Sequence, residues 1–143
     1  MKPPFNGGCQ CGALRYVCTE TPRFTVNCHC TACQKTSGAS YVSVLNVPIS
    51  AVQVSGEVRR SIRHGDTGGK VENGFCATCG SRVFSYPESL AGHVNIMATS
   101  LDDPSWYQPS LNIYVASAPP WHHVDRSLPS FDTVPPSAAG AGI

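Results

Sequence analysis

The chain has 143 residues, 41% of them hydrophobic and only 13% charged, with a formal net charge of +1. That length makes one domain with a real core. The near-neutral balance excludes the cationic footprint of a nucleic-acid or anionic-membrane binder, and no apolar run approaches a membrane span.

The elements in chain order are mostly β. Met1–Gly8 carries no apolar run of the secretory kind, so the expected location is the cytoplasm, where thiols stay reduced. Leu14–Cys18 is short and β-prone. Thr31–Ser37, closed by Gly38, reads as a short helix. Ser40–Val47 alternates apolar and polar until Pro48 ends it. Val52–Val54 and Glu57–Arg63 follow, separated by Ser55-Gly56, and Gly65–Gly69 is a glycine loop. Val71–Phe75 and Arg82–Tyr86 flank Cys76–Cys79, which places that turn at a hairpin tip in the zinc-ribbon manner. His93–Ala98 and Leu111–Ala116 are two further strands, with a capped turn at Leu101–Trp106 between them. Together these predict a mainly β fold: a single zinc-ribbon-containing, β-sandwich-like domain with short helical turns over residues 1–133. The proline-rich end, residues 134–143, reads as a disordered tail.

Seven of the eight cysteines fall in three tight clusters: Cys9/Cys11, Cys28/Cys30/Cys33 and Cys76/Cys79. Gaps of one or two residues let successive thiolates converge on one metal ion, and in a reduced compartment they favour metal over disulfide. Two closed tetrahedral zinc sites need eight ligands; one closed site and one with an open position need seven. Cys76 and Cys79 fill half a tetrahedron, and Cys9 and Cys11, flanked by Gly7, Gly8 and Gly12, are the natural second pair. That site is closed and structural. Cys28, Cys30 and Cys33 supply three sulfurs within six residues and leave a fourth position for water or substrate, the arrangement of a catalytic zinc. A fourth ligand from His29, Cys18 or a distant His would instead close it. An iron–sulfur cluster is the other thiolate chemistry, but neither spacing matches the common ferredoxin runs. Two Zn²⁺ held by seven thiolates would move the net charge to about −2.

Other side chains carry weaker signals. His29 is the titratable group inside the middle cluster, either a proton relay or a supporting hydrogen-bonding residue, with support favoured. Lys35 reads as a solvated helix lysine. Arg59, Arg60, Arg63 and His64 form a basic run that could rim a pocket or simply edge a strand, and alternation keeps it from all lining one pocket. Trp106, Tyr107, Trp121 and Phe131 read as core or pocket wall, and His122-His123 as facing apart.

Four stretches resemble the glutathione-dependent formaldehyde-activating enzyme family, whose domain is shared with centromere protein V: Gly8-Cys9-Gln10-Cys11-Gly12, Cys28–Ala39, Gly74–Ser81, and the C-terminal pieces Leu101–Pro104, Ile113–Val115 and Pro119–Trp121. The resemblance covers about residues 5–133. It implies a β-rich fold with a structural zinc on Cys9, Cys11, Cys76 and Cys79 and a catalytic zinc on Cys28, Cys30 and Cys33. It also implies condensation of glutathione with formaldehyde, a carbon–sulfur lyase chemistry. The partners expected are therefore a small thiol, glutathione or similar, and a small electrophile. Two readings from other classes stand beside it: a noncatalytic zinc-binding interaction module, and a thiol or zinc redox sensor built on the middle cluster.

Overall fold

The computed structural model describes residues 3–65 and 68–136. The fold is mainly β. Its strands are β1 (Phe5–Gly8), β2 (Arg15–Cys18), β3 (Phe24–Cys28), β4 (Val42–Pro48), β5 (Val52–Ser55), β6 (Val58–His64), β7 (Lys70–Cys76), β8 (Arg82–Pro87), β9 (His93–Met97) and β10 (Leu111–Ile113). One α-helix, α1 (Thr31–Ser37), lies among the described residues, with four short 3₁₀ turns. No helix among them is long and apolar enough to cross a membrane.

Two sheets result. A three-stranded sheet runs β1-β2-β5, and a seven-stranded sheet runs β10-β3-β4-β9-β8-β7-β6. The larger sheet is antiparallel except at β10, which lies parallel to β3. The main core joins the two sheets. Phe5, Leu14 and Tyr16 of the small sheet and its loop meet Leu45, Val47, Phe84, Val94 and Ile96 of the large one. Tyr16 and Phe84 touch edge to face at 5.6 Å, a geometry the aromatic quadrupole favours. A second, smaller core gathers Val26, Val42, Val44, Met97 and Ile113 around Cys28 and Cys33.

The strands expected at 40–47, 57–63, 71–75, 82–86 and 93–98 form as β4, β6, β7, β8 and β9 with ends shifted by one or two residues, and α1 spans Thr31–Ser37 with Gly38 left-handed at its end. Three differences matter. β1 and β3 were not legible as strands, because β1 ends in two glycines and β3 places Asn27 in a buried position. β10 stops at Ile113 rather than continuing to Ala116, since Tyr114 takes a left-handed backbone (φ 58°) and a 3₁₀ turn follows. Trp121, expected in the core or a pocket wall, is 81% exposed, whereas Trp106 and Tyr107 do pack on the core. Part of the expected glycine loop (residues 66 and 67) and residues 137–143 of the expected tail lie outside the described residues. Ahead of that end Pro135 is buried.

Gly56 joins the two sheets, between β5 and β6, at φ 95°. A Cβ there would run into the Ala13 carbonyl oxygen, which belongs to the loop carrying Cys9 and Cys11. Gly56→Ala should therefore lower stability by about 2–4 kcal/mol, combining a left-handed residue with a backbone clash. Gly80, at φ 77° with open space where a Cβ would sit, should cost only about 1 kcal/mol as Gly80→Ala. Urea unfolding midpoints of the two variants check the order.

Candidate metal centres

The first cluster forms where the small sheet meets the β7–β8 hairpin. Cys9 opens the loop between β1 and β2, and Cys76 ends β7. The Sγ atoms of Cys9, Cys11, Cys76 and Cys79 all lie within 4.8 Å of one another. Cys9 and Cys11 are 3.5 Å apart and Cys11 and Cys76 3.8 Å. Backbone amides point at the sulfurs: Leu14 N–H donates to Cys9 Sγ at 3.2 Å, and Thr78 and Cys79 N–H to Cys76 Sγ at 3.4 and 3.5 Å. Gly80 N–H donates to the Cys76 carbonyl (2.9 Å) and Cys76 N–H to the Ser81 carbonyl (2.9 Å), closing the knuckle. Ser81 Oγ accepts from Gln10 N–H (3.2 Å), which ties the two cysteine loops together directly. The Ser81 hydroxyl, 3.2 Å from Cys79 Sγ, and the Ser81 backbone hold that thiol down to about 5.

The second cluster uses a strand end, a helix cap and a helix residue. Cys28 ends β3, Cys30 caps α1, and Cys33 sits in its first turn. Their three Sγ atoms also lie within 4.8 Å of one another. Cys33 N–H donates to Cys30 Sγ at 3.3 Å. Hydrogen bonds from the Cys28 and Cys33 thiols pull the Cys30 thiol far down, and donating to Cys30 pushes Cys28 well up. Three sulfurs this close cannot all ionise without a cation, and a divalent ion would supply the missing charge.

Both donor sets fit a thiophilic divalent ion: sulfurs in reach of a common point, which a bound cation would hold as thiolates, with amides turned toward several of them. The first set is complete with four sulfurs. The second has three, and no other His, Cys or carboxylate joins it among the described residues.

His29 is buried between two of these cysteines yet lies outside their group. Its amide donates to the Ile113 carbonyl at 3.0 Å, and its Nδ1 lies 3.3 Å from the same oxygen. Burial lowers its pKa and keeps the ring neutral. The ring stacks on Tyr41 at 5.1 Å, with His122 5.3 Å away. Cys18 is fully buried in β2, bonded to the Glu20 carbonyl, and Lys35 is exposed. Of the basic run, Arg60 pairs with Glu72 and covers Tyr86, Arg59 pairs with Glu57, and Arg63 alone lines a cavity beside Cys28 and Cys33.

Several supporting residues escaped sequence reasoning because their partners are remote. Gln34 Nε2 donates to the carbonyls of His29 (2.7 Å) and Ser117 (2.8 Å), pinning α1 over the cluster. Asn27, beside Cys28, donates to Asn112 Oδ1 and accepts from Ser43 Oγ, while Asn112 Nδ2 donates to the Asp125 carbonyl at 2.8 Å. Arg82, six residues past Cys76, reaches Thr36 Oγ1 on α1 with Nη1 at 2.6 Å. The hairpin of the first cluster is thereby fastened to the helix of the second.

Metal content should follow this geometry: two divalent ions per chain, and one after Cys30→Ser with the fold retained. Cys76→Ser, which opens the cluster joining both sheets, should leave the chain unfolded or molten at room temperature. Elemental analysis beside circular dichroism checks both.

A family model described as glutathione-dependent formaldehyde-activating enzyme matches residues 4–117. The crystal structure of a Rhodobacter sphaeroides protein superposes with a TM-score of 0.53 at 22% identity, covering 68% of this chain and 87% of that one. That second likeness is one of fold.

Proposed function

The chain belongs to the glutathione-dependent formaldehyde-activating enzyme family, and on that footing we propose that it is a zinc-dependent carbon–sulfur lyase acting on thiol adducts of a small aldehyde. The observation that carries the reading is the contrast between the two clusters. Four sulfurs close one, while three sulfurs, with Cys28 and Cys33 lining a cavity, leave the other short of one donor. Zinc on Cys28, Cys30 and Cys33 would supply Lewis acidity at that open position, enough to hold an incoming thiol as thiolate at neutral pH.

In the synthetic direction the thiol sulfur bonds to the aldehyde carbon, and the thiol proton ends on the former carbonyl oxygen. The reverse breaks the same carbon–sulfur bond and returns both fragments. Val26, Val42, Val44 and Ile113 wall the cavity and keep water from the sulfurs. Gln34 and the Asn27–Asn112 pair fix the backbone on which the three cysteines stand. His29 serves as a positioning residue, its amide and ring both set against one carbonyl of β10. In this reading Cys9, Cys11, Cys76 and Cys79 hold the structural zinc, and glutathione or a related thiol is the partner. All eight cysteines are free, which agrees with a reducing, cytoplasmic setting.

The sensor reading fares worse. It needs the middle cluster to oxidise first, yet Cys28 and Cys33 are buried whereas Cys11 and Cys79 of the other cluster are exposed.

Cobalt substitution followed by glutathione titration tests the proposal. A saturable change in the thiolate-to-metal and d–d bands, absent in Cys30→Ser, is expected. Turnover of the adduct in Cys30→Ser should fall more than about 100-fold, beyond what loss of a supporting hydrogen bond costs. Unchanged bands, or turnover that survives in Cys30→Ser, would overturn the reading.

A further inference from the structure

The cavity beside the three-sulfur cluster encloses about 140 Å³ and is walled mostly by apolar side chains. Two cations nevertheless line it, Arg63 from β6 and Arg82 from β8, and among the described residues its lining contains no carboxylate. Neither arginine forms an ion pair among the described residues, although Arg15, Arg59, Arg60 and Lys70 all do. The Nε atoms of both Arg63 and Arg82 are buried without a hydrogen-bond partner there. Buried donors are almost always satisfied, so two orphaned guanidinium donors in one cavity wall point to an acceptor supplied from outside the chain.

We propose that this cavity takes the carboxylate of an acidic thiol, with Arg63 as its principal guanidinium partner and Arg82 assisting. The inference deepens the lyase reading and rests on it for the thiol. A carboxylate presents two acceptor oxygens in one plane, the shape that a guanidinium fork matches. The small volume, below the usual range of about 300–1,000 Å³ for ligand pockets, restricts the enclosed part to a short thiol acid or to one carboxylate-bearing arm of a larger thiol. Arg82 is already positioned by Thr36, whereas no hydrogen bond fixes the Arg63 side chain among the described residues, so the carboxylate would order that side chain. The competing role is simple charge balance, because both guanidinium groups also act electrostatically on the cluster, Arg63 on Cys30 and Arg82 on Cys33. Charge balance would favour every thiol equally, acidic or not.

Calorimetric titration of the zinc-loaded protein separates the two roles. The probes are 3-mercaptopropionate, its uncharged amide, and 3-(methylthio)propionate, which keeps the carboxylate but has no free thiol. The parent protein should bind the acid about ten- to a hundred-fold more tightly than the amide. Arg63→Gln should erase that preference while leaving amide affinity within about two-fold, and should equally weaken the methylthio acid. Arg82→Gln should reduce the preference in the same sense. Equal affinity for acid and amide in the parent, or a parallel loss of both in Arg63→Gln, overturns the proposal. Binding of the methylthio acid that depends on Arg63, with no thiol response at cobalt, would uphold the carboxylate site and remove the lyase reading instead.

Discussion

Everything in this molecule hangs on forcing sulfur atoms closer together than their charges tolerate. Seven thiols sit in two groups, each compressed within 4.8 Å. Protonated, they are poor hydrogen-bonding groups in half-buried surroundings; ionised, they repel. A divalent cation would turn both liabilities into cohesion, and the surrounding backbone suits that outcome, with amides aimed at Cys9, Cys30 and Cys76. The four-sulfur cluster also does architectural service. It joins the β1–β2 loop of the small sheet to the β7–β8 turn of the large one, along the seam where Tyr16 meets Phe84.

The two clusters differ in setting more than in chemistry. Cys11 and Cys79 face solvent at a hairpin tip, where a closed ion needs only to be held. Cys28 and Cys33 lie in a small apolar core of their own, where solvent is thin and a charge on the open side is felt strongly. The same ligand type would thus serve cohesion in one place and, under the proposed function, reactivity in the other, according to how many sulfurs the chain supplies and how much water it admits.

Much of this was legible in the sequence, and the reason is locality. The spacings at 9–11, 28–33 and 76–79, the helix ended by Gly38 and the alternating strands are all short-range signals. What was not legible depends on partners far along the chain. Asn27 looks unfit for a buried strand until Asn112, 85 residues away, accepts from it. Nothing near Arg82 in sequence announces that it reaches α1, and Arg63 is one arginine of a run whose other arginines pair with glutamates. Tyr114 reads as a strand residue and instead turns the chain, because its left-handed backbone breaks β10. For Asn27 and Arg82 the deciding partner lies far along the chain, beyond the reach of local propensity.

The parallel pairing of β10 on β3 has a consequence for the order in which a growing chain can be completed. All four sulfurs of the hairpin knot have been made once residue 79 is synthesised. The outer edge of β3, by contrast, stays open until Leu111–Ile113 arrives, and the Asn112 side chain waits longer still for Asp125 and Ser130. A nascent chain therefore acquires its four-sulfur anchor early and the strand and side-chain supports of the three-sulfur cluster last, so that an incomplete product would be held together with that cluster still unsupported.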